Sequence, residues 1–166
     1  MDAANPQTGL RYGGRIAEDF KLATGTWVRV GALRENLLQH LAPEVRDLVI
    51  AGENRNYIPV LAVPADPNTV DDRQMHACLR AKLMALADQP GGSAQRVLRL
   101  VFLTEKLSID AGELTDKGVL NQRNILRRHS ALVEQLYADA PGDRVIRVIP
   151  GGADGTPQHS FVSCVR

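Results

Sequence analysis

The sequence predicts an α+β domain of the α/β sandwich kind: a small three-stranded sheet flanked by helices, with a short two-stranded ribbon on its N-terminal side. Three observations carry this expectation. Apolar residues recur at helical spacing in three stretches, and three short β-rich runs bounded by Gly, Asn, Pro and Asp lie between them. The opening residues instead break into strand-like pieces too short to make a core of their own.

Those pieces, "LRYGGR", "DFKLA" and "TWVRV", read as a ribbon laid beside the sheet. The first helix follows, with Val30, Leu33, Leu37, Leu38 and Leu41 on one face. "DLVIAG" (Asp47 to Gly52) and "YIPVLAVP" (Tyr57 to Pro64) are strands joined by the hairpin-length "GENRN". They should pair antiparallel, with Pro59 at an edge or a bulge. Met75, Cys78, Leu79, Leu83 and Leu86 stripe a second helix, preceded by Asp71 and Asp72 at the end that favours negative charge. "RVLRLVFL" (Arg96 to Leu103) supplies the third strand. A third helix, expected to be the longest, buries Ile125, Leu126, Leu132, Val133 and Leu136 and leaves Arg127, Arg128, Glu134 and Gln135 in water. The expected core is Leu33, Leu37, Val49, Leu61, Val63, Leu79, Leu83, Leu100, Phe102, Ile125, Leu132 and Leu136. After Asp139 the chain turns rich in Gly, Pro and Asp and reads as a loose tail, although "RVIRVI" resembles a strand.

A chain of 166 residues fits one domain with a sufficient core. With 20 basic against 19 acidic residues there is no electrostatic footprint for nucleic acid or anionic lipid, although Arg123, Arg127 and Arg128 cluster locally. Two cysteines, Cys78 and Cys164, make neither a disulfide framework nor a zinc site, and "MDAANPQTGL" lacks the regions of a signal peptide. No apolar run approaches the ~20 residues of a membrane helix, so the expected location is the cytoplasm.

Little in the sequence has the spacing of a site. Gly13 and Gly14 lack the frame of a phosphate loop, as do "GGS" and "PGG". His40, His76, His129 and His159 are scattered without cysteine or carboxylate at metal spacing and read as surface or core-edge residues. Glu18 and Asp19, adjacent on a strand, would face opposite sides and read as solvated charges. "ELTDKGVLNQR" (Glu113 to Arg123) says more: Thr115 and Asp116 form turns and caps, Lys117 and Gly118 sit at the tip, and a helix begins after them. A lysine beside a flexible glycine is ordinarily a solubilising charge. On a loop that can swing, it also delivers one positive charge to a phosphate.

Two stretches together resemble the C-terminal domain of acyl-adenylate-forming enzymes, the acyl-CoA synthetase and luciferase superfamily. "GRIAEDFKLATG" (Gly14 to Gly25) is similar to the family's hinge pattern G-R-x-[DK]-[DE]-x-[IV]-K-x-x-G with one extra residue before the last glycine. "TDKG" (Thr115 to Gly118) stands where the family has its T-x-x-G-K loop. "GRIAEDFKL", "TGTWV" and the TDKGxxNQR string are most similar to bacterial feruloyl-CoA synthases, and the likeness runs from Leu10 to about Ala138. It implies that 1–13 end an interdomain linker, that 14–139 form the C-terminal domain and that 140–166 are the loose tail. It also implies a role for each of several residues. Arg15 would contact the ribose of an adenylate, Ala17 and Glu18 would be the hinge, and Gly25 would line a pantetheine tunnel bordered by Lys21 and Trp27. Lys117 would be the adenylation lysine, although an ungapped match puts the family's lysine at Val119, and Ala17 replaces the usual Asp or Lys.

The complete enzyme would use ATP, coenzyme A and magnesium on an aromatic or aliphatic carboxylic acid. Its large N-terminal adenylation domain would hold the acyl pocket and the phosphate loop. This chain alone, expected to be a fragment without either, would bind none of these cofactors and be inactive. The alternatives are a non-catalytic interaction module of the same fold, or the small domain of a long-chain fatty acyl-CoA synthetase or of a carrier-protein-loading relative.

Overall fold

The computed structural model describes residues 18–90 and 95–149. Arg15 and Ala17 lie outside them, as do His159 and Cys164. The ribbon is the antiparallel pair β1 (Phe20–Lys21) and β2 (Trp27–Val28), followed by α1 (Val30–Leu41). β3 (Val45–Ile50) and β4 (Ile58–Pro64) form the expected antiparallel hairpin, and α2 (Arg73–Ala87) crosses over to β5 (Val97–Phe102), which lies parallel to β4. α3 (Gln122–Arg128), α4 (Ser130–Tyr137) and β6 (Ile146–Arg147) complete the chain, with the main sheet ordered β3-β4-β5-β6.

Successive residues of a strand point to opposite faces, and here both faces are apolar. Leu48, Ile50, Val60, Ala62, Leu100 and Phe102 share one core with Leu33 and Leu37 of α1 and Leu79 and Leu83 of α2. Val49, Leu61, Val63, Val101 and Leu103 share the other with Ile125 and Leu136. Every residue of β4 is buried, as an interior strand covered on both sides requires. Pro59, which has no N–H to give, sits where the β4–β5 register shifts, so of the two expected placements it takes the bulge. Of the expected core only Leu132 is no more than partly buried.

Three features depart from the sequence expectation. The main sheet has four strands, because β6 pairs antiparallel with β5 and Val148 N–H donates to the carbonyl of Leu98 at 2.8 Å. Val145, Ile146 and Val148 are buried, so this part of the expected loose tail is packed against the domain; residues 150–166 lie outside the described ones. The third helix is not the longest, since it breaks at His129 into α3 and α4 and leaves α2, at 15 residues, the longest. Finally, Asp19 is a cap rather than a solvated charge: its Oδ1 accepts from Val30 N–H at 2.9 Å and satisfies the start of α1, which has no cap from Arg29.

The helix break coincides with a buried polar contact. His129 takes φ −96°, ψ 30°, and its buried imidazole Nε2 meets Glu113 Oε1 at 2.8 Å. The same oxygen accepts from Arg128 Nε at 3.2 Å, while Oε2 accepts from Ser108 N–H at 3.0 Å. Burial pushes the Glu113 carboxyl toward its neutral form, but the Ser108 N–H, His129 and Arg128 outweigh it and hold its pKa below the ordinary carboxylate value.

Leu61→Ala, which empties a fully buried site on β4, should cost about 2–5 kcal/mol in urea unfolding, with the slope of the transition unchanged. Ile109→Ala, on the surface, should stay within about 0.5 kcal/mol. Glu113 should also leave a signature in acid. A carboxylate with a lower pKa folded than unfolded stabilises above its unfolded value, and the stabilisation disappears as pH falls through the folded one. Glu113→Gln should therefore be less stable than the parent at neutral pH, and the two unfolding curves should converge as the pH drops below the ordinary carboxylate range.

Candidate functional site

The segment carrying Lys117 is a miniature hairpin. Asn121 N–H donates to Glu113 O at 2.8 Å at its root, Leu114 and Leu120 form an antiparallel bridge, and Thr115 N–H donates to Val119 O at 2.8 Å. Gly118 N–H closes the tip on Thr115 O at 2.8 Å, with φ +74° at Gly118, a conformation that favours glycine. Thr115 Oγ1 adds a bond from Val119 N–H at 3.2 Å. The tip is therefore braced by bonds within the hairpin. The helix cap falls to Asn121, whose Oδ1 accepts from Asn124 N–H, and not to Thr115 or Asp116. Lys117 is exposed at the tip, and no described residue pairs with its ammonium.

The ribbon makes a second surface. Lys21 and Trp27 are cross-strand partners, and Lys21 Nζ lies 5.1 Å from the Trp27 ring centroid, within cation–π range. Trp27 is 59% exposed and edges a cleft of about 240 Å³ with Arg29 and Asn36. Gly25, in the turn between the strands, has φ +85°, and beyond its chain neighbours no described residue lies within 4 Å of the place where a Cβ would stand. The turn favours glycine. Asn54 N–H to Lys21 O and Ala23 N–H to Arg55 O, each 2.9 Å, tie the ribbon to the β3–β4 turn.

Lys21, Gly25 and Trp27 are thus brought together, and Lys117 is kept apart from them. The ribbon's apolar anchors Phe20, Leu22 and Val28 belong to the core on one face of the sheet, whereas Leu114 and Leu120 belong to the core on the other. The two structures approach each other beside β3, an edge strand, where Glu18, Asp19, Gln122 and Arg123 border a cleft of about 120 Å³. Buried Gln122 accepts there from Ile50 N–H at 3.2 Å, fastening the start of α3 to the end of β3.

Of the two readings of His129, surface or core-edge, its burial against Glu113 fits the second. Sequence reading passed over Glu113 and Gln122. The one signal for them is their proximity to the turn, since a polar residue bordering an apolar stripe does not announce a partner 16 residues away. Among the described residues no group of three His, Cys, Asp or Glu could hold a metal ion, and no helix is long and apolar enough to cross a membrane.

The fold has known counterparts. The A domain of carboxylic acid reductase from Segniliparus rugosus, solved with AMP and a co-purified carboxylic acid, superposes with a TM-score of 0.62 at 23% identity, covering 75% of this chain and 20% of that one. The A-PCP didomain of carboxylic acid reductase from the same organism, with AMP, gives 0.58 at 22% identity over 76% of this chain and 18% of that one. The adenylation domain of a carboxylate reductase from Mycobacterium chelonae gives 0.60 at 22% identity, over 76% and 20%. The chain spans about a fifth of the length of these solved chains. No curated protein matches it in sequence. The family described as the AMP-binding enzyme C-terminal domain matches residues 20–141, from the first strand of the ribbon to just past α4, and the chain belongs to that family.

Proposed function

We propose that the domain is the mobile small domain of an ATP-dependent acid–CoA ligase of the feruloyl-CoA synthetase kind, acting in the cytoplasm with a large N-terminal adenylation domain. One observation carries the reading: an unpartnered Lys117 on a braced tip and an open Gly25 ribbon are anchored on opposite faces of one sheet. The adenylate-forming family supports the first half of the chemistry, and the "GRIAEDFKL" and "TDKG" strings support the feruloyl kind.

In the first half-reaction a carboxylate oxygen of the acid bonds to the α-phosphorus of ATP as the bond to pyrophosphate breaks. Lys117 places one positive charge against the charge developing there, a role worth ~3 kcal/mol when such a contact is removed. In the second, a thiol sulfur bonds to the acyl carbon and AMP leaves. Gly25 gives the pantetheine arm room at the backbone, with Lys21 and Trp27 beside it. Arg15, outside the described residues, would meet the ribose, and Ala17 with Glu18 would bend. The described residues offer no group of three His, Cys, Asp or Glu for a metal, and magnesium would be held by the large domain. The A-PCP didomain among the structural neighbours favours a second reading of the acceptor, in which the thiol arrives on a carrier protein rather than on coenzyme A.

Lys117→Ala in the complete enzyme should slow ATP–pyrophosphate exchange with ferulate by roughly 10²- to 10³-fold and leave thioester formation from supplied feruloyl-adenylate nearly unchanged. Undiminished exchange would remove Lys117 from the chemistry. Gly25→Asn should do the reverse. Asparagine is among the side chains that best tolerate a positive φ, and no described residue beyond the turn lies within 4 Å of the place of its Cβ. A loss confined to thioester formation then reports an obstructed thiol path, whereas equal losses in both half-reactions would contradict it. A thioester made with holo-carrier protein and not with coenzyme A would select the second acceptor; an interaction module would show neither half-reaction.

A further inference from the structure

We propose that Glu113 is a positioning residue of the adenylation half-reaction, its carboxylate fixing the root of the hairpin that presents Lys117. The inference rests on the reading of Lys117 above. The hairpin from Glu113 to Asn121 projects an exposed tip, and its own apolar hold on the domain is the pair Leu114 and Leu120. Backbone bonds from Glu113 N–H and Leu114 N–H to Ser108 O, at 3.0 and 3.4 Å, tie the root to the incoming loop on one side. The Glu113 side chain, 5% exposed, adds restraint on the other. It accepts from Ser108 N–H in the incoming loop and reaches across to His129 and Arg128 at the break between α3 and α4. Three directions of restraint meet in one carboxylate, at the residue that begins the hairpin. Asn124 fastens the segment before it, donating to Ala111 O at 2.8 Å.

This arrangement serves a charge that has to be placed well. Misplacing a catalytic group by about 1 Å can cost 10²-fold, so slackening the root should weaken a reaction at the tip without any direct contact. The break between α3 and α4 falls at His129, whose buried imidazole meets this carboxylate.

The test is a double-mutant cycle in the complete enzyme, following both half-reactions. In Glu113→Gln one oxygen becomes an N–H₂ that faces donors, which loosens the root while keeping the side-chain volume. ATP–pyrophosphate exchange with ferulate should fall about 10- to 10²-fold, and thioester formation from supplied feruloyl-adenylate should stay within twofold. Added to Lys117→Ala, Glu113→Gln should change exchange by less than twofold, because it acts through a lysine already gone. Exchange unchanged in the single variant, or losses that multiply in the double one, would overturn the proposal and leave the Lys117 reading standing. A harmless Lys117→Ala would overturn that reading and this proposal together. If Glu113→Gln loses both half-reactions through unfolding, Arg128→Ala decides, since Arg128 is half-exposed and dispensable to the core. A smaller loss confined to exchange supports the positioning role; no loss overturns it.

Discussion

The constraint on which the rest of the structure depends is that β3, β4 and β5 are apolar on both faces. A strand that alternates apolar with polar can leave one side in water, but Leu48 and Val49, Leu61 and Ala62, or Val101 and Phe102 leave no such side. Helices have to cover the sheet above and below. α1 and α2, connected through the hairpin and the crossover, take one face, so the later α3 and α4 are left with the other. The ribbon before α1 goes with the first pair and the lysine hairpin before α3 goes with the second. The separation of the two candidate surfaces follows from strand periodicity and chain order, before any site residue is considered.

A sandwich closed this way has to satisfy polar groups at its seams, and a few long-range bonds do so. Asp19 caps α1 from 11 residues upstream, Gln122 meets Ile50 N–H across 72 residues, and Glu113 gathers Ser108, Arg128 and His129. Each joins a connecting segment to the end of a helix or strand, where backbone groups lack internal partners. Lys82, reaching both Glu44 and the carbonyl of Ala42, does the same at the α1–β3 corner. Connections held like this are less free than their glycine content suggests.

That distinction explains how far the sequence could be read. The β3–β4 hairpin, the helices flanking the sheet and the acidic start of α2 at Asp72 follow from periodicity and neighbouring residues, and they were legible. β6 was legible as an apolar alternation but not as a member of the sheet, because two paired residues carry too little pattern to say where they dock. The stripe from Ile125 to Leu136 runs through His129 without interruption, so nothing local marks the break, and the carboxylate that His129 meets there, Glu113, lies 16 residues earlier. The turn around Lys117 was visible in Thr115 and Gly118, whereas its stiffness arises from backbone bonds that composition does not display. The roles of Arg15, Ala17, Glu18 and Gly25 came from resemblance alone.

Under the proposed function, the stiffness decides what has to move. Bonds at the tip and root of the lysine hairpin are each worth on the order of 1 kcal/mol, and together with the buried carboxylate they make refolding the hairpin in every cycle costly. The ribbon is likewise tied to the β3–β4 turn and held by Phe20, Leu22 and Val28 in the core. Neither surface can travel round the sheet to the position of the other. If one reacting centre needs first a lysine and then a thiol path, the proposed function requires the domain to turn as a rigid body, a hinge motion that leaves both sets of contacts intact. Bracing the two surfaces and making the connection pliant are then complementary requirements: movement confined to the hinge delivers each side chain in the geometry that the sheet and its seams have already set.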